Sequence, residues 1–386
     1  MIVGSSRQPA IWRPLDWLIN AGYKVMLADS YNPYPQGREN FRFFSYNTES
    51  HRLPYHRILG QKGGQWLRTQ LNIKLLKWAA FGFQADVIHA DLTNRVVADC
   101  VEAKLYPLIV SVSGMFNSLF QRNLEPSFIL LQRTLRKANG LILESPFFLE
   151  RSQALFPSIP HYFHIPMGVD PEWFHSNYHA HRTAWRMILK IPDEAIVFLS
   201  AEALDPFYRH HQILEAFATA RRQLPKQELF LLFFKFNMPT SVANLAYQKY
   251  LEQQIVQLGV SDYIRWIPQP SFKAKPAIYD LTDIVLSYPL DDASPATLIE
   301  AAACEKICIS CNHPSYQGTF IEESCNLVES DNSNVLAEAM IEVVKAPSSK
   351  LRARAQQGRN TIKEQYTEQI ATEKLIAAYQ TLLNPP

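Results

Sequence analysis

Short apolar runs alternate with longer amphipathic ones from end to end of this chain, and that alternation confines it to few folds. A run such as Leu229 to Phe236 is too short for a buried helix and has no polar face. It reads as a strand covered on both sides, and such strands belong in parallel sheets sandwiched between helices. The pattern places strands at 1–5, 23–28, 41–46, 85–91, 107–113 and 141–144, with helices at 12–21 and through Ala103. It then resumes with strands at 196–200, 229–236, 263–267, 284–287, 307–310 and 326–328. Helices are expected at 211–224, 245–258, 334–345, 350–366 and 369–383.

A chain of 386 residues is long for one domain and comfortable for two. The run 161–170, H-Y-F-H-I-P-M-G-V-D, supplies the boundary, because proline and glycine in quick succession end a strand and turn the chain. The expected division is therefore 1–166, 167–366 and a closing helical segment, 367–386. Both large parts read as Rossmann-like, but the first lacks G-x-G-x-x-G: Gly4 stands alone after Ile2 and Val3, which argues against a nicotinamide or flavin dehydrogenase.

Composition excludes other classes. With 47% hydrophobic and 19% charged residues the chain is no disordered segment. Its net charge of +2 conceals 18 basic against 11 acidic residues through Gly168 and 20 against 25 beyond. The first part is thus suited to an anionic neighbour or carries a solvated basic face. Nucleic acid is not an expected partner. Five scattered cysteines make no disulfide framework, and Cys308 and Cys311 have no second pair of ligands in register, so no metal is expected. His175, His179 and His181 read as a solvated linker. There is neither an apolar span of membrane length nor a leader-like start, so a cytoplasmic protein is expected.

The stretch 287–310, S-Y-P-L-D-D-A-S-P-A-T-L-I-E-A-A-A-C-E-K-I-C-I-S, carries the most chemistry. It reads as a strand end, a loop with Asp291 and Asp292, a helix with Ser294 as its cap and Pro295 in its first turn, and a second strand. The positive end of such a helix suits a phosphate or pyrophosphate. The stretch resembles the donor-binding motif of retaining GT-B glycosyltransferases, family 4 in particular, in which an acid, seven residues and a Glu precede an "EAMACGKPV" run. Asp292 and Glu300 fill those positions, and "IPMGVD" resembles the "IPNGVD" crossing between domains.

The resemblance implies a GT-B fold of two Rossmann-like domains facing a cleft. It also implies a retaining, metal-independent transfer from a UDP- or GDP-linked sugar to a saccharide, lipid or natural-product acceptor, with no other cofactor. On this reading Asp292 lies at the sugar as the catalytic candidate and Glu300 holds the ribose. Ser294, Pro295, Ala296 and Thr297 cradle the phosphates. Gly4 is counted with the nucleotide-sugar-binding residues, and Ser113 and Gly114 line the acceptor side, with Ser113 in place of the histidine of "SVHGxD" and Phe116 in place of its acid. The family's phosphate-binding arginine and lysine are missing: Ala203 and Tyr208 occupy their positions, leaving Arg209, Lys235 and Arg7 as substitutes. A non-catalytic GT-B relative acting as a partner subunit, or one doing different coupling chemistry at a nucleotide-sugar, is the alternative.

One more helix is expected at 64–81, with Leu67, Leu71, Leu75 and Trp78 on one face and Arg68, Lys74 and Lys77 off it. Such a helix either packs its apolar stripe into a core, the preferred reading, or lies on an anionic bilayer at the inner membrane surface.

Overall fold

A computed structural model describes the chain except residues 4–8, 30–38, 46–54, 93–95, 113–125, 236–241, 293, 330 and 385–386. Gly4, Arg7, Ser113 and Gly114 lie outside the described residues. The chain divides into two compact units: unit 1 is Met1–Gly168 with Glu368–Pro386, and unit 2 is Val169–Thr367. Each has one parallel sheet with flanking helices, the α/β class the alternation requires.

Unit 1 begins with β1 (Ile2–Val3), α1 (Pro9–Asn20), β2 (Val25–Asp29), β3 (Phe41–Ser45) and α2 (Tyr55–Phe83). It continues with β4 (Ile88–Asp91), α3 (Val96–Glu102), β5 (Leu108–Val112), α4 (Pro126–Leu135), β6 (Gly140–Leu143), α5 (Pro146–Leu155) and β7 (His161–His164). The sheet runs β3-β2-β1-β4-β5-β6-β7, with Ile2 opposite Leu27 on one side and His89 on the other. β4 and β5 are buried along their whole length, as central strands of a parallel sheet are, and they carry the polar His89, Asp91 and Ser111 inside with the apolar residues.

Unit 2 contains α6 (His179–Ile188), β8 (Ile196–Ser200), α7 (His210–Gln223), β9 (Leu229–Lys235), α8 (Val242–Gln257) and β10 (Ile264–Pro268). After these come α9 (Lys275–Leu281), β11 (Ile284–Ser287), α10 (Ala296–Ala303), β12 (Ile307–Cys311), α11 (Phe320–Ser324), β13 (Asn326–Val328), α12 (Ser333–Lys345) and α13 (Ser348–Gln365). Its sheet runs β10-β9-β8-β11-β12-β13. The last helix, α14 (Glu368–Leu383), belongs to unit 1, where Leu375, Ala378 and Leu382 join Leu15, Leu27 and Ile109 in one core.

Three expectations need correction. Residues 179–182 are not linker but the first turn of α6. Arg182 and Arg186 from that helix both reach Asp283, at 3.1 and 3.3 Å, and Arg186 also donates to the carbonyls of Pro192 and Ala195. Two arginines downstream of the histidines therefore decide the local structure.

Ser294 does not cap α10. Pro295 is the N-cap, with no side-chain cap, and the Ser294 N–H donates instead to Asp292 Oδ1 at 3.0 Å.

The preferred orientation of residues 64–81 is reversed. α2 buries Thr69, Asn72, Leu76, Ala79 and Ala80, while Leu71, Leu75 and Trp78 face outward. Small and short polar side chains let the helix come close to its unit, α3 included.

All five cysteines are free and buried. Cys308 and Cys311 are three apart on a strand and so point to opposite faces of the sheet. Among the described residues no helix is long and apolar enough to cross a membrane.

Candidate active site

In unit 2 the strand order reverses direction between β8 and β11, which are adjacent in the sheet and parallel. At such a switch point the connections leave the carboxyl ends on opposite sides and open a crevice. The segments that leave there are 201–209 after Ser200 and 288–295 after Ser287, followed by α10.

The loop before α10 is fixed from two directions. Asp292 takes the Ser294 N–H on its carboxylate and the Ser315 hydroxyl on its carbonyl. Asp291 is buried with His313 Nε2 at 3.0 Å. His313 Nδ1 accepts from the Ser315 N–H at 3.2 Å, which turns the Nε2 edge of the ring toward the Asp291 carboxylate. The carboxylates of the D-D pair thus differ: Asp291 is spent on holding the loop, and Asp292 is half-buried at its mouth.

Glu300 lies one turn into α10 and is 0% exposed. Lys275 Nζ donates to both of its oxygens, at 3.2 and 2.9 Å, and the Tyr279 hydroxyl donates to Oε2 at 2.8 Å. Lys275 and Tyr279 are four apart on α9, one above the other on a single face. The lysine side chain keeps 23% of its surface, so the ammonium stands between the buried carboxylate and solvent.

Glu202 joins the same cluster. Its Oε1 accepts from Ser287 Oγ at 3.0 Å, and Thr297 also hydrogen-bonds to it. Burial pushes its carboxyl up, against the pull of those hydrogen bonds and of Lys275 and with a small push from Glu300. Tyr208 lies within the field of Glu202 and Asp292, and burial holds its phenol well above the ordinary value.

The candidate cations are placed differently from one another. Arg209 is buried, in left-handed backbone at φ 48° and ψ 38°, where 3₁₀ residues 206–208 give way to α7. Its Nε donates to the Tyr288 carbonyl at 2.9 Å, Nη2 to the Pro289 carbonyl at 2.5 Å and Nη1 to Asp331 at 2.9 Å, and the guanidinium lies over the Tyr288 ring. Arg209 therefore clamps the loop after β11 to the segment after β13. Lys235 ends β9 with its side chain exposed. Ser294, Pro295, Ala296 and Thr297 line the start of α10 together with Asp292, as their adjacency requires. The sequence reading missed Lys275, Tyr279 and His313. The i, i+4 spacing of Lys275 and Tyr279 was the available signal for two of them.

Unit 1 has a polar chain of its own. His89 is buried, with Tyr379 Oη at 2.7 Å from Nδ1 and Ser111 Oγ at 2.6 Å from Nε2, and burial lowers its pKa to about 3. A cavity of about 50 Å³ beside it is lined by Ser111, Glu144, Gly168 and Thr372 among others.

Residues 181–363, a stretch of unit 2 that contains Glu202, Arg209, Lys275, Asp292 and Glu300, match the family described as Glycosyl transferases group 1. No curated protein matches the sequence. Solved structures do match in fold. Sucrose-phosphate synthase from Thermosynechococcus elongatus superposes with a TM-score of 0.80 at 15% identity, over 99% of this chain and 98% of that one. Anabaena HepE in complex with UDP and glucose gives 0.76 at 15% identity, over 99% of each chain. A UDP-forming trehalose-phosphate synthase from Burkholderia xenovorans gives 0.77 at 11% identity, over 99% and 98%. The GT-B fold implied by the 287–310 stretch is the fold the chain has.

Proposed function

We propose that this chain, whose second unit matches the group 1 glycosyl transferases, is a retaining glycosyltransferase that moves a sugar from a UDP- or GDP-linked donor to a saccharide, lipid or natural-product acceptor without a metal. The observation that carries the reading is the gathering of Asp292, Glu202, Lys275, Glu300 and the start of α10 at the β8/β11 switch point. The first-turn amides of α10 have no side-chain cap, which leaves this end suited to a diphosphate. Lys275 meets the ribose, with Glu300 behind it as the counter-charge that fixes the ammonium. Asp292 lies at the sugar. Burial shifts the Glu202 carboxyl toward its neutral form, which lessens the repulsion a diphosphate would otherwise meet there. The departing phosphate takes the acceptor proton on the face it leaves, so no separate base is required. The names of HepE with UDP and glucose and of the UDP-forming synthase favour UDP for the donor here.

A second reading, a non-catalytic GT-B subunit, is favoured by one observation: Ala203 and Tyr208 replace the expected cations, and the nearest substitute, Arg209, spends its guanidinium on protein acceptors. Calorimetric titration of UDP and GDP separates the two. Micromolar binding, weakened at least about tenfold in Glu300→Ala, supports the enzyme, and silence toward both nucleotides supports the subunit. With a donor identified, the anomeric configuration of the product tests retention, and unchanged turnover in EDTA tests metal independence.

A further inference from the structure

Helix α2 wears its apolar side outward. Trp66, Leu75, Trp78 and Phe81 are 65%, 44%, 69% and 84% exposed, and Leu71 is exposed with them. At 100° per residue they share one half of the helix with the exposed Lys74 and Lys77, while Thr69, Asn72, Leu76, Ala79 and Ala80 fill the buried half. An ordinary surface helix has the reverse arrangement. The patch extends onto a second element: the Trp78 ring lies 6.3 Å from that of Phe44 on the edge strand β3, and the exposed Arg42 is two residues from Phe44, on the same face.

Charge says what covers this face. Over the 29 residues of α2 there are five Lys or Arg, at 57, 62, 68, 74 and 77, and no Asp or Glu. A second copy of the chain would set the same cationic face against itself, because a two-fold interface pairs a patch with its own image. An acidic, fluid surface that accepts indole and phenyl rings at its polar boundary has no such conflict, and lysines among those rings keep their heads among anionic groups while their stems lie along the apolar layer.

We propose that the outward face of α2, with the Phe44 edge of β3, docks unit 1 on an anionic lipid bilayer. Trp66, Trp78 and Phe81 enter the headgroup boundary, and Lys74, Lys77 and Arg42 meet the lipid phosphates. The helix lies on the surface and does not cross it: its 29 residues would be long enough, but no described helix is both long and apolar enough to span a bilayer, and α2 carries five cations. This stands independently of the transfer chemistry assigned to unit 2.

The test is cosedimentation of the full chain with phosphatidylcholine vesicles, with and without phosphatidylglycerol. Phosphatidylglycerol is expected to raise binding about tenfold or more, and half-molar salt to reverse most of the gain. The pairs Trp78→Ser with Phe81→Ser and Lys74→Glu with Lys77→Glu should each abolish it. All four side chains are exposed, so the circular dichroism spectrum and melting temperature should be unchanged and serve as the folding control. Equal weak binding to both vesicles overturns the proposal. So does a dimer in sedimentation equilibrium that Trp78→Ser with Phe81→Ser converts to monomer without any vesicle binding, since the face would then be a self-interface.

Discussion

At the carboxyl end of the unit 2 sheet, Lys275, Glu300 and Glu202 form a cluster of ionisable side chains. On the adjacent strands β4 and β5 of unit 1, His89 and Ser111 form with Tyr379 a chain with no ionised member. Both groups lie beside the central strands of a parallel sheet, so topology alone does not decide what such a place carries. In unit 2 the carboxylates come with an ammonium and a helix start, a combination that can receive an anion and hold hydroxyls. In unit 1 Tyr379, His89 and Ser111 hydrogen-bond in series without charge. Such a chain costs little to bury, but it has little affinity for an ionic ligand.

Breaking the ionic side should have the largest effect. Lys275→Met strips the fully buried Glu300 of its counter-charge while the Tyr279 hydroxyl still donates to Oε2. The expected loss is about 3–5 kcal/mol in urea denaturation. Glu300→Gln on that background should restore most of it, because the stranded charge is gone. A single-variant loss under about 1 kcal/mol would mean that water screens the pair, and the contrast between the units would collapse.

Acid sharpens the comparison from the neutral side. Burial lowers His89 to about 3 and His210 of unit 2 to about 4, both below the ordinary histidine value. His210 is held neutral between Ser200 Oγ, 3.0 Å from Nδ1, and the Ala203 carbonyl, 2.8 Å from Nε2. Because the folded pKa is depressed, the unfolded chain takes up the proton first, and stability falls as pH drops below about 6.5. Each histidine should contribute a loss of about 2 kcal/mol between pH 6.5 and 5. The loss ends near pH 4 for His210 and continues to about 3 for His89. Denaturation midpoints over a pH series check this, and His210→Gln should remove one proton from the slope while leaving His89's share.

Arg209 gives a smaller effect in unit 2. Arg209→Lys keeps the charge but not the fork that reaches the Tyr288 and Pro289 carbonyls and Asp331 together. A loss of about 2 kcal/mol is expected. Hydrogen exchange should quicken at residues 288–292, and nucleotide affinity should fall only through that loosening. If affinity collapses while exchange at the loop is unchanged, Arg209 touches the ligand directly.

How much of this was legible in the sequence depended on the range over which it was encoded. Strands β5, β9, β11 and β12 are written in mainly apolar runs that suit a doubly covered sheet, so their positions were readable to within a few residues. The D-x7-E interval and the start of α10 were readable for the same reason, since neighbours along the chain are neighbours in space. What could not be read were partners set by long-range packing. Glu300 is held by Lys275, 25 positions away on another helix, and Arg209 by carbonyls some 80 positions away. The loop before α10 is held by His313 and Ser315 from beyond the next strand. The side of α2 that faces inward was also hidden. Its apolar stripe and its small-residue stripe are both periodic, and only the neighbouring elements choose between them.

The smallest predicted effect lies in the uncharged chain. Tyr379→Phe removes the hydroxyl 2.7 Å from His89 Nδ1 while keeping the ring that packs edge-on against the imidazole. A buried, neutral imidazole has one N–H to give and one lone pair to fill, and Ser111 can satisfy only the Nε2 side. The variant should therefore lose about 1 kcal/mol, with faster hydrogen exchange confined to β4 and α14 and no change in UDP or GDP affinity. Imidazole nitrogen shifts give the sharper readout. If the Tyr379 hydroxyl donates to Nδ1 in the wild type, His89 is the Nε2–H tautomer, and its removal should let the proton move to Nδ1 as Ser111 reverses its own hydrogen bond. An unchanged tautomer would mean that Ser111, fixed on β5, sets the direction of the whole chain and that the phenol merely follows it.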